Sequence, residues 1–257
     1  MTGVAKHTIL KFLKDLGCAC AEYHNRLVHN VKVRRVQCDE IWAFCYAKEK
    51  NVPEEKRGTF GYGNVWTWTA MDADTKLILP YVIGTRGIET ARFFMNDLSA
   101  RVIGRIQLTT DGHRVYADAI DRAFGCDVDY AMLIKLFGND PQEDEARYSL
   151  ATCIGCRTAV LSGRPDQKHI STSFVERQNL TMRMGMRRFT RLTNGFSKKV
   201  ENHGHAVALH FIHYNFCRVH KSLRVTPAME AGIADRVWSF EEVAGLLETE
   251  SDTKAVA

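Results

Sequence analysis

Three carboxylates stand out by their settings. Asp39 lies in Val36-Gln37-Cys38-Asp39-Glu40-Ile41-Trp42, Asp111 in Leu108-Thr109-Thr110-Asp111-Gly112-His113, and Glu176 in Ser173-Phe174-Val175-Glu176-Arg177-Gln178-Asn179. The first two end or interrupt apolar, β-branched runs, and the third opens an arginine-rich helical segment. Carboxylate oxygens are hard ligands suited to Mg²⁺ or Mn²⁺. Two such ions held together can activate an attacking oxygen and stabilise a leaving one in phosphoryl displacement. Without a cation, clustered carboxylates repel one another and their pKa values rise. Asp39, Asp111 and Glu176 are therefore the candidate catalytic residues and metal ligands, with two Mg²⁺ or Mn²⁺ ions as the expected cofactor.

The residues after Glu176 suggest what such a site would act on. Arg183 follows it by seven positions, nearly two helical turns, so both side chains should project from one face. Arg187 would extend that row by a further turn. From Glu176 to Val200 there are seven Lys/Arg against one Glu, within a chain of net charge +5. Such a stripe reads as an electrostatic footprint for a polyanion, or as a solvated helix face. Arg177, Arg183, Arg187, Arg188 and Asn179 are the candidate DNA contacts, since an arginine fork grips a phosphate and an amide adds a polar contact.

Other chemistry-bearing residues have plainer readings. Glu40 should point away from Asp39 in a strand and serve structure. Trp42 should pack in the core. Asp72 and Asp74 sit where a turn would use their local hydrogen bonds, and His113 could meet a phosphate or water. His203, His205, His210, His213 and His220 crowd one stretch, with 203/210 and 210/213 at same-face spacing that would suit a transition metal. Cys153-Ile154-Gly155-Cys156 is the one CxxC pair. It would need two more ligands, His169 among them, to hold structural zinc.

The elements that must position these residues follow from periodicity. Apolar positions at Ile9, Phe12, Leu13 and Leu16 predict a helix stopped by Gly17, with a second from about Ala19 to Asn30. A glycine before a short Lys/His/Thr helix suggests the second half of a helix-turn-helix, with an ordinary amphipathic helix as the alternative. Arg35–Cys45, Tyr62–Asp72 and Lys76–Gly84 read as an antiparallel meander, Pro80 marking an edge or bulge. Lys48–Phe60 is a charged loop. Helix and strand then alternate: helix 90–102, strand 105–110, helix 116–124, strand 130–137. This favours parallel pairing through crossover helices. Residues 138–163 look polar and irregular, with an acidic run from Asp140 to Glu145. Helices are expected from Thr172 to about Phe189, from Val200 to Val219, and briefly after Trp238. The order is that of a ribonuclease-H-like α/β fold, a mixed sheet flanked by helices.

The bulk composition is permissive. At 257 residues and 45% hydrophobic content the chain can build a large core. Eight cysteines without a framework pattern suggest free thiols in a reducing, cytoplasmic setting. No leader opens the chain and no apolar run approaches a membrane span.

With Asp39, Asp111, Glu176 and Arg183 in hand, the chain resembles a bacterial insertion-sequence transposase of the DDE class, nearest to the IS1 family. Asp39-Glu40-Ile41-Trp42, Thr110-Asp111-Gly112 and Ser173–Asn179 match the blocks carrying the family's acids, and Arg183 matches its basic residue two turns after the Glu. His213-Tyr214-Asn215-Phe216-Cys217-Arg218-Val219-His220-Lys221-Ser222-Leu223, followed by Thr226-Pro227-Ala228, resembles a tail motif of such proteins. The resemblance implies a ribonuclease-H-like core acting as a homo-oligomer on element ends, at the bacterial nucleoid. It implies strand cleavage by water and attack of the freed 3′-hydroxyl on target DNA. The expected organisation is an N-terminal helical segment over 1–34 carrying a partial helix-turn-helix, a catalytic domain over 35–222 with a surface insertion over 138–171, and a tail over 223–257. A nuclease on the same fold, and a truncated DNA-binding repressor, remain alternatives.

Overall fold

A computed structural model describes residues 3–138, 152–190 and 194–255. The acidic run at 140–145 lies outside the described residues. Among those described, the fold is mixed α/β around a six-stranded mixed sheet. Its strands are β1 (Arg35–Cys45), β2 (Gly63–Asp72), β3 (Ile78–Gly84), β4 (Ile106–Asp111), β5 (Val128–Gly138) and β6 (Thr152–Ser162). They lie in the order β3-β2-β1-β4-β5-β6. β1 to β3 form an antiparallel meander, β4 pairs parallel with β1 and β5, and β6 returns antiparallel on β5. Pro80 lies on the edge strand, beside a bulge between Thr69 and Met71, because the ring removes a ladder donor that only an edge or bulge can spare.

Helices α1 (Lys6–Leu27), α2 (Ile88–Arg101), α3 (Val115–Phe124), α4 (Ser173–Gly185), α5 (Val200–Ile212), α6 (Pro227–Glu230) and α7 (Phe240–Ala255) cover the sheet. Period-two alternation divides β1 between the two faces. Val36 and Cys38 join the larger core with Trp68, Phe94, Leu98, Tyr116 and Ile120. Ile41 and Ala43 join a second core with Val175, Met182 and Phe211, beneath α4 and α5. Gln37 ties α4 down on that second face, its Oε1 accepting from the backbone N–H of Phe174 at 2.9 Å and of Val175 at 3.2 Å.

Four expectations are corrected. Gly17 does not end a helix: α1 runs unbroken through it, so the two helices expected on either side of it are one. The glycine is there for contact, since a Cβ would stand 2.4 Å from the His205 Cβ of α5. Leu16, Ala19 and Cys20 of α1 and Val243 and Leu246 of α7 enter the same core as the sheet. The predicted surface excursion over 138–171 contains β6, an eleven-residue strand, because Cys153 to Ser162 find ladder partners on β5. Finally, α4 stops at Gly185, and Arg187–Phe189 form a separate 3₁₀ turn. The long helix predicted from Val200 gives way after Ile212 to a π-turn over His213–Cys217.

Candidate active site

The chain passes from β1 outward to β2 on one side and from β4 outward to β5 on the other. Ligand crevices form where strand order reverses in this way, at the carboxyl ends of parallel strands. Pairing of β1 with β4 ends at Cys38 and Thr110, so Asp39 and Asp111 are the next residues on adjacent strands. A cavity of about 690 Å³ opens there, lined by Asp39, Glu40, Asp111, Glu176, Asn179 and Arg183, and also by Arg86, His113 and Lys135. β1, β4 and α4 thus bring Asp39, Asp111 and Glu176 to one cavity, and Arg183 reaches it from α4.

The acids are not equivalent. Asp39, Glu40 and Asp111 form the one close group among the described residues, with a ligand oxygen from each lying within 4.8 Å of the others. Glu40 is expected from strand alternation to point away from Asp39, and the structure corrects this. Beyond Cys38 no β4 residue pairs with β1, so acids from opposite faces of β1 can both turn into the notch where β4 stops. Glu176 lies outside this close group. Its Oε2 accepts from Lys135 Nζ on β5 at 2.5 Å, and its Oε1 from the Thr172 hydroxyl at 2.5 Å.

Burial, then the neighbouring Asp111, pushes Asp39 up to about 7, despite hydrogen bonds from Glu40 N and Asn179 Nδ2. Those bonds are 2.9 and 2.8 Å long. Burial and Asp111 likewise push Glu40 up to about 7, partly offset by a hydrogen bond with Tyr116 and then by Arg86. Arg86 lies 3.3 Å from Glu40 Oε2 and 3.8 Å from Asp111 Oδ2, with its guanidinium 4.6 Å over the Trp66 ring. Asp111 Oδ1 accepts from His113 N at 3.0 Å, and His113 Nε2 lies 3.2 Å from the Arg86 carbonyl.

This environment fits a hard divalent cation. The donors are carboxylate oxygens, and two of the acids are held against ionisation. A bound cation would offset that repulsion and supply Lewis acidity to a phosphoryl oxygen or water.

The other expected site residues are spread over three cavities. Asn179 lines the acidic one and is buried, its Nδ2 donating to Asp39 Oδ2 at 2.8 Å. Arg177 faces a different cavity, on the neighbouring flank of α4. Arg187 and Arg188 line a third cavity with Lys6, Lys198 and Lys199, because α4 ends before them. Arg188 also donates to Ser197 Oγ at 2.9 Å.

The histidines do not converge. His203 bonds Ser197, His205 meets Cys18, His210 meets Gln178 and His213 stacks on Phe240. All eight cysteines are free; Cys153 and Cys156 are exposed on β6, and His169 bonds Arg35. No group of three metal-ligating side chains forms around them among the described residues. Trp42 is half-buried, donating to Asn64 Oδ1 at 2.8 Å, rather than packed in the core. Asp72 does cap its turn, accepting from Asp74 N at 3.0 Å and the Thr75 hydroxyl at 2.6 Å. Arg86 and Lys135 escaped sequence reasoning. Lys135 left one trace, a lone charge inside an apolar strand, whereas Arg86 sits in an ordinary Gly-flanked turn.

No family model and no curated protein matches the chain. Among solved structures, the piggyBac transposase synaptic complex with hairpin DNA aligns with 87% of this chain and 54% of that one, at 12% identity and a TM-score of 0.33. The chain thus spans about half the length of that protein, and the likeness is distant. At so low a score it decides nothing about chemistry. Among the described residues no helix is long and apolar enough to cross a membrane.

Proposed function

We propose that this protein is a metal-dependent phosphoryl-transfer enzyme acting on DNA, a DDE-class transposase on a ribonuclease-H-like core. The sequence resemblance points to the IS1 family of insertion elements. The observation that carries the reading is the single cavity in which Asp39, Glu40, Asp111, Glu176 and Arg183 meet from three separate elements. Asp39, Glu40 and Asp111 would hold Mg²⁺ or Mn²⁺. Arg183 would hold the phosphate of the strand under attack, a role suited to a planar fork of donors. A second ion at Glu176 requires that carboxylate to exchange Lys135 for a cation. Strand cleavage at an element end by water, then attack of the 3′-hydroxyl on a second duplex, would use the same acids twice. The working species would be a homo-oligomer on DNA.

The test is cleavage and joining of labelled element-end DNA with Mg²⁺ or Mn²⁺. Asp39→Ala, Asp111→Ala and Glu176→Ala are each expected to abolish cleavage while retaining much of the DNA affinity. Near-parental cleavage by the Asp111→Ala variant refutes the assignment. Cleavage by the parent without joining marks a nuclease, and duplex binding without either step marks a repressor.

A further inference from the structure

The tail segment His213–Leu223 has no part in the acidic cavity, and the structure places it at another. Arg218, His220, Lys221 and Ser222 line a cavity of about 400 Å³ with Lys76, which precedes β3, and Arg177 of α4. Its floor is apolar, formed by the buried Met71 and Tyr214. No carboxylate lines it. Among the described residues Arg177, Arg218 and Lys221 enter no ion pair, unlike Arg35 and Arg86. Lys76 is nearly buried, with its ammonium 3.2 Å from the centre of the Phe174 ring and donating to the Ala73 carbonyl. Asp72 and Asp74 lie close enough to Lys76 to act on its charge, but neither faces the cavity. His220 is held to Ser222 Oγ at 3.0 Å.

We propose that this cavity binds the sugar–phosphate backbone of a DNA strand, as a second contact separate from the acidic site. Cations from three elements converge without counter-charge, and guanidinium groups match phosphate oxygens in geometry. Successive residues on a helix point about 100° apart. Glu176 therefore faces the acidic cavity while Arg177 and Thr181, four residues apart on one face, line this one. The two cavities flank α4, whose diameter with side chains is about 10–12 Å. At about 3.4 Å of rise per nucleotide, that is roughly three nucleotides of one strand. The tail segment thus has a job: it anchors DNA beside the place where DNA is cut. The inference rests on the reading of the protein as a DNA enzyme.

Binding of a labelled duplex of arbitrary sequence to the full chain, in EDTA and over a range of salt, tests it. Arg218→Gln/Lys221→Gln is expected to raise Kd about tenfold near 0.15 M salt and to flatten the salt slope by about 1.8, two phosphate contacts at about 0.9 each. Arg177→Gln, an exposed change on another element, should flatten it by about 0.9 and covers the case in which the double variant misfolds. Arg122→Gln on α3 should leave binding unchanged. Parental affinity and slope in both the double variant and Arg177→Gln overturn the inference, as does a parent that binds no duplex. Thermal shift with inorganic phosphate alone supplies the other arm: a response lost in the double variant, with duplex binding intact, assigns the cavity to a small anion and overturns the DNA assignment. Loss of duplex binding in the variants of a parent that shows no metal-dependent cleavage keeps this inference and sinks the catalytic one.

Discussion

Replacing Asp39 by Asn should stabilise the metal-free protein, increasingly as the pH rises. The folded chain holds this carboxyl up to about 7 against an ordinary value of 3.8. Between those limits the native state binds more protons than the unfolded one, so stability falls with rising pH and levels off above about 7. The difference is roughly three pKa units, which at about 1.36 kcal/mol per unit sets an upper limit near 4 kcal/mol. Asp39 opens onto a wet cavity, and solvent there screens the charge, so about 2–4 kcal/mol is expected over the full window. About half of that change lies above pH 5.5.

The parent's own pH profile would hide this effect. His24, His203 and His210 are buried neutral, with burial pushing them down to about 3, about 4 and about 4. Their unfolded forms take up protons below about 6.5, so these groups lose stability as the pH falls, which is the opposite sign. The difference between Asp39→Asn and the parent cancels them. Urea unfolding in EDTA should show that difference growing by about 1–2 kcal/mol from pH 5.5 to pH 8, in favour of the variant. Saturating Mn²⁺ should shrink or reverse it, because a cation bound only by the folded parent adds stability that the variant cannot gain. A difference that stays flat across that range, with and without metal, would mean that Asp39 is not crowded by Asp111 in a shared cavity.

Further outcomes follow from the same geometry. Glu40→Gln and Asp111→Asn should each abolish most of the rise in melting temperature with Mn²⁺, whereas Glu176→Gln should keep more of it; equal losses in all three would place Glu176 in the close group after all. Lys135→Gln should tighten Mn²⁺ binding several-fold by calorimetry, since the ammonium competes with cation for Glu176; weaker binding would make the lysine a support. Gly17→Ala should destabilise by about 1–3 kcal/mol, as overpacking against a neighbouring helix does, read by thermal unfolding; a neutral result would mean that α1 and α5 separate easily.

What could be read without coordinates divides along a physical line. The span of β1 was legible because Val36, Ile41, Trp42 and Phe44, β-branched or aromatic, stand in one run that ends before a charged loop. The meander, the crossover helices and the position of Asp111 at a strand end follow from the same local signals. β6 was hidden because Cys153 to Ser162 carry two cysteines, a glycine and a serine, and become a strand only by pairing with β5. The end of α4 was misread because the stripe of arginines continues beyond Gly185 while the backbone does not. Glu40 was set aside on a sound rule, that neighbours in a strand face opposite ways. The rule weakens where the adjoining strand stops, and strand lengths relative to one another are a tertiary fact.

The acidic cavity has two ways of balancing its charge, and they compete. Without metal the fold relies on Arg86 between Glu40 and Asp111, Lys135 on Glu176, and the amide of Asn179 on Asp39. Each of these groups occupies oxygen lone pairs that a cation would need. Arg86 lies half-exposed, as does Lys135, so both can turn toward an incoming phosphate while their carboxylates turn toward metal. DNA and metal would then bind with positive coupling, because the phosphate draws off the cations that otherwise occupy the acids. Mn²⁺ affinity measured with and without a non-cleavable duplex should therefore rise several-fold with DNA present. In Lys135→Gln, which lacks one of the cations to be drawn off, that enhancement should shrink. Equal enhancement in parent and variant would show that Lys135 neither blocks the site nor links its two ligands.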